Sequence, residues 1–287
     1  MRRLFTYPYI VWLGLFVVAP ILLVVFYAFS GTDADGNTYF TFSNITKFFE
    51  GIVEGQPVWE RIYVRVAIRS LRMALQTTVI CFVLGYPLAM ILASKGFRDK
   101  PILLFLFILP LWMNFLVRTY GLMSILERNG IMNNILMRVG LPTIDILFTD
   151  TAVLLGMVYN FLPFMVLPIY TALTRMDKRI IEAAQDLGAN PTNVFLRIIF
   201  PLSMPGVISG ITMVFMPAAA TFIIPNLLGG GQFFLLGNLV EQQFLRVGNW
   251  HFGSAVAVVM IILMVVSTFI LSRFEKQEET SEGGMRL

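Results

Sequence analysis

Six stretches of this chain are long, apolar and nearly free of charge: residues 10–29, 71–93, 102–123, 151–173, 205–225 and 253–272. The hydrocarbon core of a bilayer takes about 20 apolar residues of helix to cross. Inside it no water is present to satisfy backbone N–H and C=O groups, so each stretch is expected to be a helix. Composition agrees. Hydrophobic residues make up 57% of the 287 and charged residues 13%, with a mean hydropathy of +0.78, whereas soluble proteins carry roughly 25% charged residues. The expectation is an all-α integral membrane protein: one transmembrane domain, residues 1–287, with six transmembrane helices.

Arg2 and Arg3 precede the first apolar run, and Ala28-Phe29-Ser30 has the small-x-small form of a leader cleavage site. Residues 10–29 nonetheless exceed the roughly 7–15 residues of a secretory leader core, so the run reads as an uncleaved first span. The net charge of +4 is modest and dispersed, which gives no case for nucleic acid. Cys81 is the sole cysteine and lies in an apolar run. It reads as a small buried residue, and no intrachain disulfide is possible.

Short loops carry most of the topological signal in basic residues. The turn at 94–100 holds Lys95, Arg98 and Lys100, so it is assigned to the cytoplasm. Both termini then lie inside, and so does the loop at 174–201. That loop is polar and reads as two helices. Asp177 caps the first, which runs to about Leu187, and Gly188 takes the left-handed position that ends it. Asn190 and Pro191 are a cap and a first-turn proline for the second. Pro201 marks the turn toward the fifth span. Ala183 and Ala184 offer little bulk, and Glu182 and Asp186 share a face at i, i+4. A docking surface for another protein and a surface helix on lipid headgroups both fit this pattern.

Other features are less directive. Arg61, Arg65, Arg69 and Arg72 fall on one helical face leading into the second span. A functional anion site and a solvated or headgroup-facing stripe both fit that spacing. Arg118 lies near the outer end of the third span. A mid-bilayer charge costs roughly 2.5–3.5 kcal/mol on insertion scales, so it is expected to snorkel or face a cavity. Residues 226–252 have the pattern of a re-entrant or surface-lying segment, and residues 275–287 read as a disordered tail. The only histidine, His251, reads as structural or solvated. Prolines recur inside the spans, at 87, 110, 163, 168 and 217. Gly206-x-x-x-Gly210 and Gly85-x-x-x-Ala89 permit close helix contact. No phosphate loop, metal motif or nucleophile–base pair is present.

The order Glu182-Ala183-Ala184, three residues, Gly188, nine residues, Ile198, two residues, Pro201 resembles the EAA loop of ABC importer permeases. Phe200 departs from the more usual Leu, and both are large and apolar. Leu84-Gly-Tyr-Pro-Leu-Ala89 and Leu109-Pro-Leu-Trp-Met-Asn114-Phe-Leu-Val-Arg118-Thr-Tyr120-Gly121 are similar to that family too. Tyr159-Asn-Phe-Leu-Pro163-Phe-Met-Val-Leu-Pro168-Ile-Tyr170 and Pro225-Asn-Leu-Leu-Gly-Gly230 resemble, more specifically, the first permease of spermidine/putrescine importers. The resemblance covers roughly residues 8–272.

It implies a type I ABC importer permease with a cytoplasmic coupling-helix loop, in a bacterial inner membrane. The implied partners are a second homologous permease, two copies of an ATPase and an extracytoplasmic substrate-binding protein. This chain would then be no enzyme and hold no cofactor, since ATP–Mg binds the partner ATPase. The ATPase-coupling residues would be Glu182, Ala183, Ala184, Asp186 and Gly188. A polyamine path wants aromatic faces and hydrogen-bond acceptors, and Trp112, Asn114, Tyr159 and Asn160 supply both in spans three and four. Packing and interfacial roles fit Trp112 and Tyr159 equally. No Asp or Glu lies inside any predicted span. Two other classes stay open: an ion-gradient-driven secondary transporter or channel, and an ABC permease for a different small solute. The gradient-driven class normally wants intramembrane ionisable residues or inverted repeats, and neither is evident.

Overall fold

The computed structural model describes residues 9–33, 37–50, 61–94 and 100–283. Arg2 and Arg3 before the first span, and Lys95 and Arg98 of the turn used for orientation, lie outside the described residues. The chain runs as α1 (Tyr9–Ala28), β1 (Ser30–Thr32), β2 (Thr38–Phe40), α2 (Ser43–Glu50), α3 (Ile62–Ala93) and α4 (Lys100–Ile108). Then follow α5 (Phe115–Leu126), α6 (Ile131–Arg138), α7 (Asp150–Arg175), α8 (Lys178–Asp186) and α9 (Pro191–Ala220). The last elements are α10 (Ile223–Leu228), α11 (Leu236–Glu241) and α12 (Trp250–Gly283). Five helices are long and apolar enough to cross a membrane, or six if one bent pair is a single span. The β1–β2 hairpin is antiparallel, with Ser30 opposite Phe40.

Four expectations are corrected. The third span is broken: residues 102–112 and 115–138 meet at a bend of 101°. Pro110 brings no backbone N–H, the chain tightens to a 3-10 turn over Leu109–Trp112, and Met113 is extended. Asn114 then caps α5, its Oδ1 accepting from the Leu116 N–H at 2.8 Å. Pro201 makes no turn. The second loop helix and the fifth span are one helix from Pro191 to Ala220, passing through a π turn at Phe195–Ile199. There the Phe200 N–H reaches the Phe195 carbonyl, a wider register that admits a proline without ending the helix. The fifth span also stops short of 225, because the backbone extends at Thr221 before α10. Finally, α12 continues as helix through Gly283. Glu275, Lys276, Gln277, Glu278 and Glu279 are good helix formers, and that local preference carries the backbone beyond the apolar run.

The contacts divide the chain into two compact units, one of residues 1–70 and 234–265, the other of 71–233 and 266–287. The first unit has a core of Phe48, Leu236, Leu239, Phe252 and Val256. Asn44 fastens α2 to the end of α1, its Nδ2 donating to the Ser30 carbonyl at 2.8 Å and the Ala28 carbonyl at 3.3 Å. Arg61, first of the arginine stripe, donates to the Phe49 carbonyl. His251 Nδ1 lies 3.1 Å from the Tyr27 carbonyl, and Nε2 lies 3.1 Å from Thr32 Oγ1. A carbonyl only accepts, so Nδ1 carries the proton and Nε2 accepts from the threonine hydroxyl. That arrangement supports a structural histidine.

In the second unit α3, α7 and α9 converge on Met165. A Cβ at Gly85 would stand 3.0 Å from its Cγ, and one at Gly210 2.9 Å from its Sδ. Gly206 is tighter: a Cβ there would meet the Ala172 Cβ at 2.6 Å and the Pro168 carbonyl oxygen at 2.7 Å. The Gly-x-x-x-Gly pair therefore packs within the chain, as small-residue stripes do where backbones approach. Tyr86 OH and Ser203 Oγ bond at 2.8 Å between α3 and α9, and Cys81 is fully buried. The segment 226–252, expected to be re-entrant or surface-lying, begins inside a short buried helix: Ile224 and Leu228 of α10 are fully buried. Leu228 fills the gap that Gly156 leaves on α7, and its carbonyl accepts from the Phe148 N–H at 2.9 Å.

Candidate functional site: a capped polar element and a bent span

The coupling candidates sit on α8, whose ends are fixed by local chemistry. Asp177 Oδ1 accepts from the Arg179 N–H at 3.0 Å, the side-chain cap its position implied. At the other end Gly188 has φ +81°. Its N–H reaches the Gln185 carbonyl at 2.9 Å, and the Ala189 N–H reaches the Ala184 carbonyl at 3.0 Å. This paired closure satisfies two terminal carbonyls, and a left-handed residue makes it possible. Asn190 Oδ1 then accepts from the Asn193 N–H at 2.8 Å, with Pro191 in the first turn of α9. Two capped helices are thus set back to back across four residues, Leu187–Asn190.

The two faces of α8 differ. Ile181, Glu182 and Gln185 line a cavity of about 350 Å³ with Met90, Ala93 and Leu173, from the ends of α3 and α7. Ala183, Asp186 and Gly188 are exposed. Leu187 is 88% exposed, which is unusual for a leucine beside so much apolar cover. A second cavity of about 760 Å³ lies between α7, the start of α8 and α9, lined by Phe164, Pro168, Arg175, Asp177, Ile180 and Met213 among others. Leu187 was not singled out from the sequence. Its place directly before the left-handed glycine was the available signal.

The substrate-path candidates cluster less simply. Trp112 and Asn114 flank the break of the third span, and both are exposed, Trp112 at 78%. Tyr159 is 45% exposed on α7. Asn160 is fully buried, and its amide is engaged on both sides. Its Oδ1 accepts from Arg118 Nε at 2.7 Å. Its Nδ2 donates to the Gly156 carbonyl at 2.8 Å and reaches Thr119 Oγ1 at 3.5 Å. Arg118 was expected to snorkel or face a cavity. Instead it is buried at 6% exposure, with Nη1 donating to the Pro110 carbonyl at 3.1 Å. Its guanidinium carbon stands 5.7 Å from the Phe115 ring centroid. These neutral acceptors and an aromatic face replace water around the charge, which spares the side chain a reach to the surface.

Long apolar helices, buried glycine contacts between them and a capped polar element outside the apolar runs define the class: a multi-span membrane protein. A family model for the binding-protein-dependent transport system inner membrane component matches residues 85–277, and the chain belongs to that family. It is 41% identical over 271 residues to the spermidine/putrescine transport system permease protein PotB of Haemophilus influenzae, covering 92% of this chain and 91% of that one. The PotB protein of Escherichia coli is 40% identical over 257 residues, covering 88% and 90%. Among solved structures, a chain of a bacterial ABC transporter for the acidic polysaccharide alginate superposes with TM-score 0.78 at 15% identity, with 96% of each chain covered. A chain of the MetNI methionine ABC transporter gives 0.57 at 19% identity, over 75% of this chain and 95% of that one. At those identities the likeness is one of fold. The chain is a permease subunit of an ABC importer.

Proposed function

We propose that this chain is one of two homologous permeases in an ATP-driven importer of spermidine and putrescine, with both termini in the cytoplasm. The observation that carries the reading is the 41% identity, over nearly the full length, to a spermidine/putrescine permease. An external binding protein delivers the polyamine, and two copies of an ATPase bind ATP–Mg. The ATPase seats on α8, with Glu182, Ala183, Ala184, Asp186 and Gly188 at the contact. Its motion reaches the membrane mechanically. Both ends of α8 are capped, so it moves as one piece, and only Leu187–Asn190 separate it from α9. That helix then runs unbroken for 30 residues, about 45 Å at 1.5 Å per residue, against α7 at Gly206 and Gly210.

Exposed Trp112, Asn114 and Tyr159 supply aromatic faces and a carbonyl acceptor to a passing ammonium chain. The six predicted spans carry no Asp or Glu, so stronger cation ligands come from the partner permease or the binding protein. Uptake of labelled spermidine and putrescine by the complete transporter in proteoliposomes tests the cargo. Saturable, ATP-dependent uptake of either is expected. Uptake of neither, with another solute taken up, overturns this reading of the cargo.

A further inference from the structure

A helix break inside a membrane domain frees backbone groups that must find partners in the protein. At the bend of the third span the Pro110 carbonyl accepts from the Met113 N–H at 3.2 Å, and one residue from beyond the break adds a second donor that ties the two limbs together. Arg118 belongs to α5, and its Nη1 returns to the Pro110 carbonyl of the preceding limb at 3.1 Å. Its Nε holds Asn160 of α7 at 2.7 Å, and the Phe115 ring faces its guanidinium. Asn160 is in turn fixed by the Gly156 carbonyl. Thr119 Oγ1 donates to the Phe115 carbonyl at 2.9 Å and stands 3.5 Å from Asn160 Nδ2. One planar cation therefore ties three backbone segments together. A guanidinium suits this because its donors diverge in fixed directions, where an ammonium is a point charge.

We propose that Arg118 is a positioning residue for transport: with Asn160 it forms a latch that sets the bend of the third span. The latch holds Trp112 and Asn114 where the passing solute meets them. Arg118 does not contact the solute. It occupies the Pro110 and Asn160 acceptors, so those oxygens serve the fold and not the cargo. When the permease changes state, the bend can alter only if these bonds break, so the latch makes the two geometries discrete. The proposal rests on the permease reading, but part of its test needs no cargo.

The complete transporter is reconstituted with Arg118→Ala, Asn160→Ala and the double variant. Spin labels are placed on the two limbs at Ile102→Cys and Ile125→Cys, both exposed positions, while Cys81 stays buried and unlabelled. In the parent the limb-to-limb distance distribution is narrow, and in each single variant it broadens. ATP-driven uptake falls about tenfold or more, as expected when a buried charged hydrogen bond is lost. The double variant is no worse than either single. Guanidinium ion restores uptake and the narrow distribution in Arg118→Ala, and methylammonium at the same concentration does not. An unchanged distribution in the single variants, or losses that add in the double variant, overturns the latch. If Arg118→Ala does not insert, Asn160→Ala decides by the same distance measurement. Narrow distances in a parent that takes up no polyamine would overturn the cargo and leave the latch standing.

Discussion

The loop at 174–201 and the bent third span are built by opposite means. The loop holds its shape through contacts spanning two to five residues: Asp177 to Arg179, Ala189 to Ala184 and Asn190 to Asn193. The bend holds its shape through Arg118 and Asn160, which are 42 positions apart. A locally determined element can move as a body without losing its form, and that suits a part that receives force. An element fixed by a distant partner changes form when that partner lets go, and that suits a part that gates. The comparison assigns the two regions different failures when mutated.

The largest effect is expected at Gly188. Its φ of +81° is a conformation that Asn and Asp tolerate better than other side chains. Gly188→Asn should therefore cost little, while Gly188→Asp sets a charge on the face proposed to dock the ATPase. A desolvated charge without a partner costs roughly 2–5 kcal/mol at an interface. ATP-driven uptake should fall about 30-fold or more in Gly188→Asp and only a few-fold in Gly188→Asn, with insertion unchanged in both. Equal losses in the two would mean that backbone shape, and not docking, limits this position.

Gly206→Val comes next and acts inside the membrane. Its Cβ would stand 2.6 Å from that of Ala172 and 2.7 Å from a backbone oxygen, so α7 and α9 must part. Overpacking of this kind costs about 1–3 kcal/mol, to be read as a lower thermal midpoint of the purified protein and as less inserted chain. An unchanged midpoint would refute the close contact. The smallest effects belong to the caps. Asp177→Ala and Asn190→Ala each remove one side-chain cap, worth roughly 1 kcal/mol, and should fray α8 or α9 locally. Hydrogen exchange at Arg179 or Asn193 should rise about fivefold or more, with uptake reduced less than in Gly188→Asp. A loss of uptake as large as that of Gly188→Asp would contradict a loop held by several independent local bonds.

This contrast also explains what the sequence made legible. Asp177, Gly188 and Asn190 announce their roles because a cap is a short-range interaction with few residue types to satisfy it. The apolar runs coincide with five helices long and apolar enough to cross a membrane for the same kind of reason, although two of those helices begin well before their runs, at Ile62 and Pro191. The break at Met113–Asn114 escaped because residues 102–123 are apolar enough on average to read as one span despite Asn114 and Arg118, and hydropathy does not distinguish a straight helix from two limbs. Pro110 was the visible hint, yet Pro87, Pro163, Pro168 and Pro217 lie inside helices that continue. The burial of Arg118 was not readable at all, since it depends on an acceptor one span away. The tail misled in the other direction: its polar composition said nothing about a packed core, but its residues favour helix by themselves.

The central claim is that this permease is driven by an ATPase acting through the 174–201 element. The most direct test is uptake by the whole transporter in sealed proteoliposomes, with energy supplied in two ways. With ATP reaching the cytoplasmic face and ionophores collapsing all gradients, uptake should proceed, and Gly188→Asp should abolish most of it. With an imposed proton or sodium gradient and no ATP, uptake should be absent. Uptake sustained by the gradient alone, and indifferent to Gly188→Asp, would contradict the account.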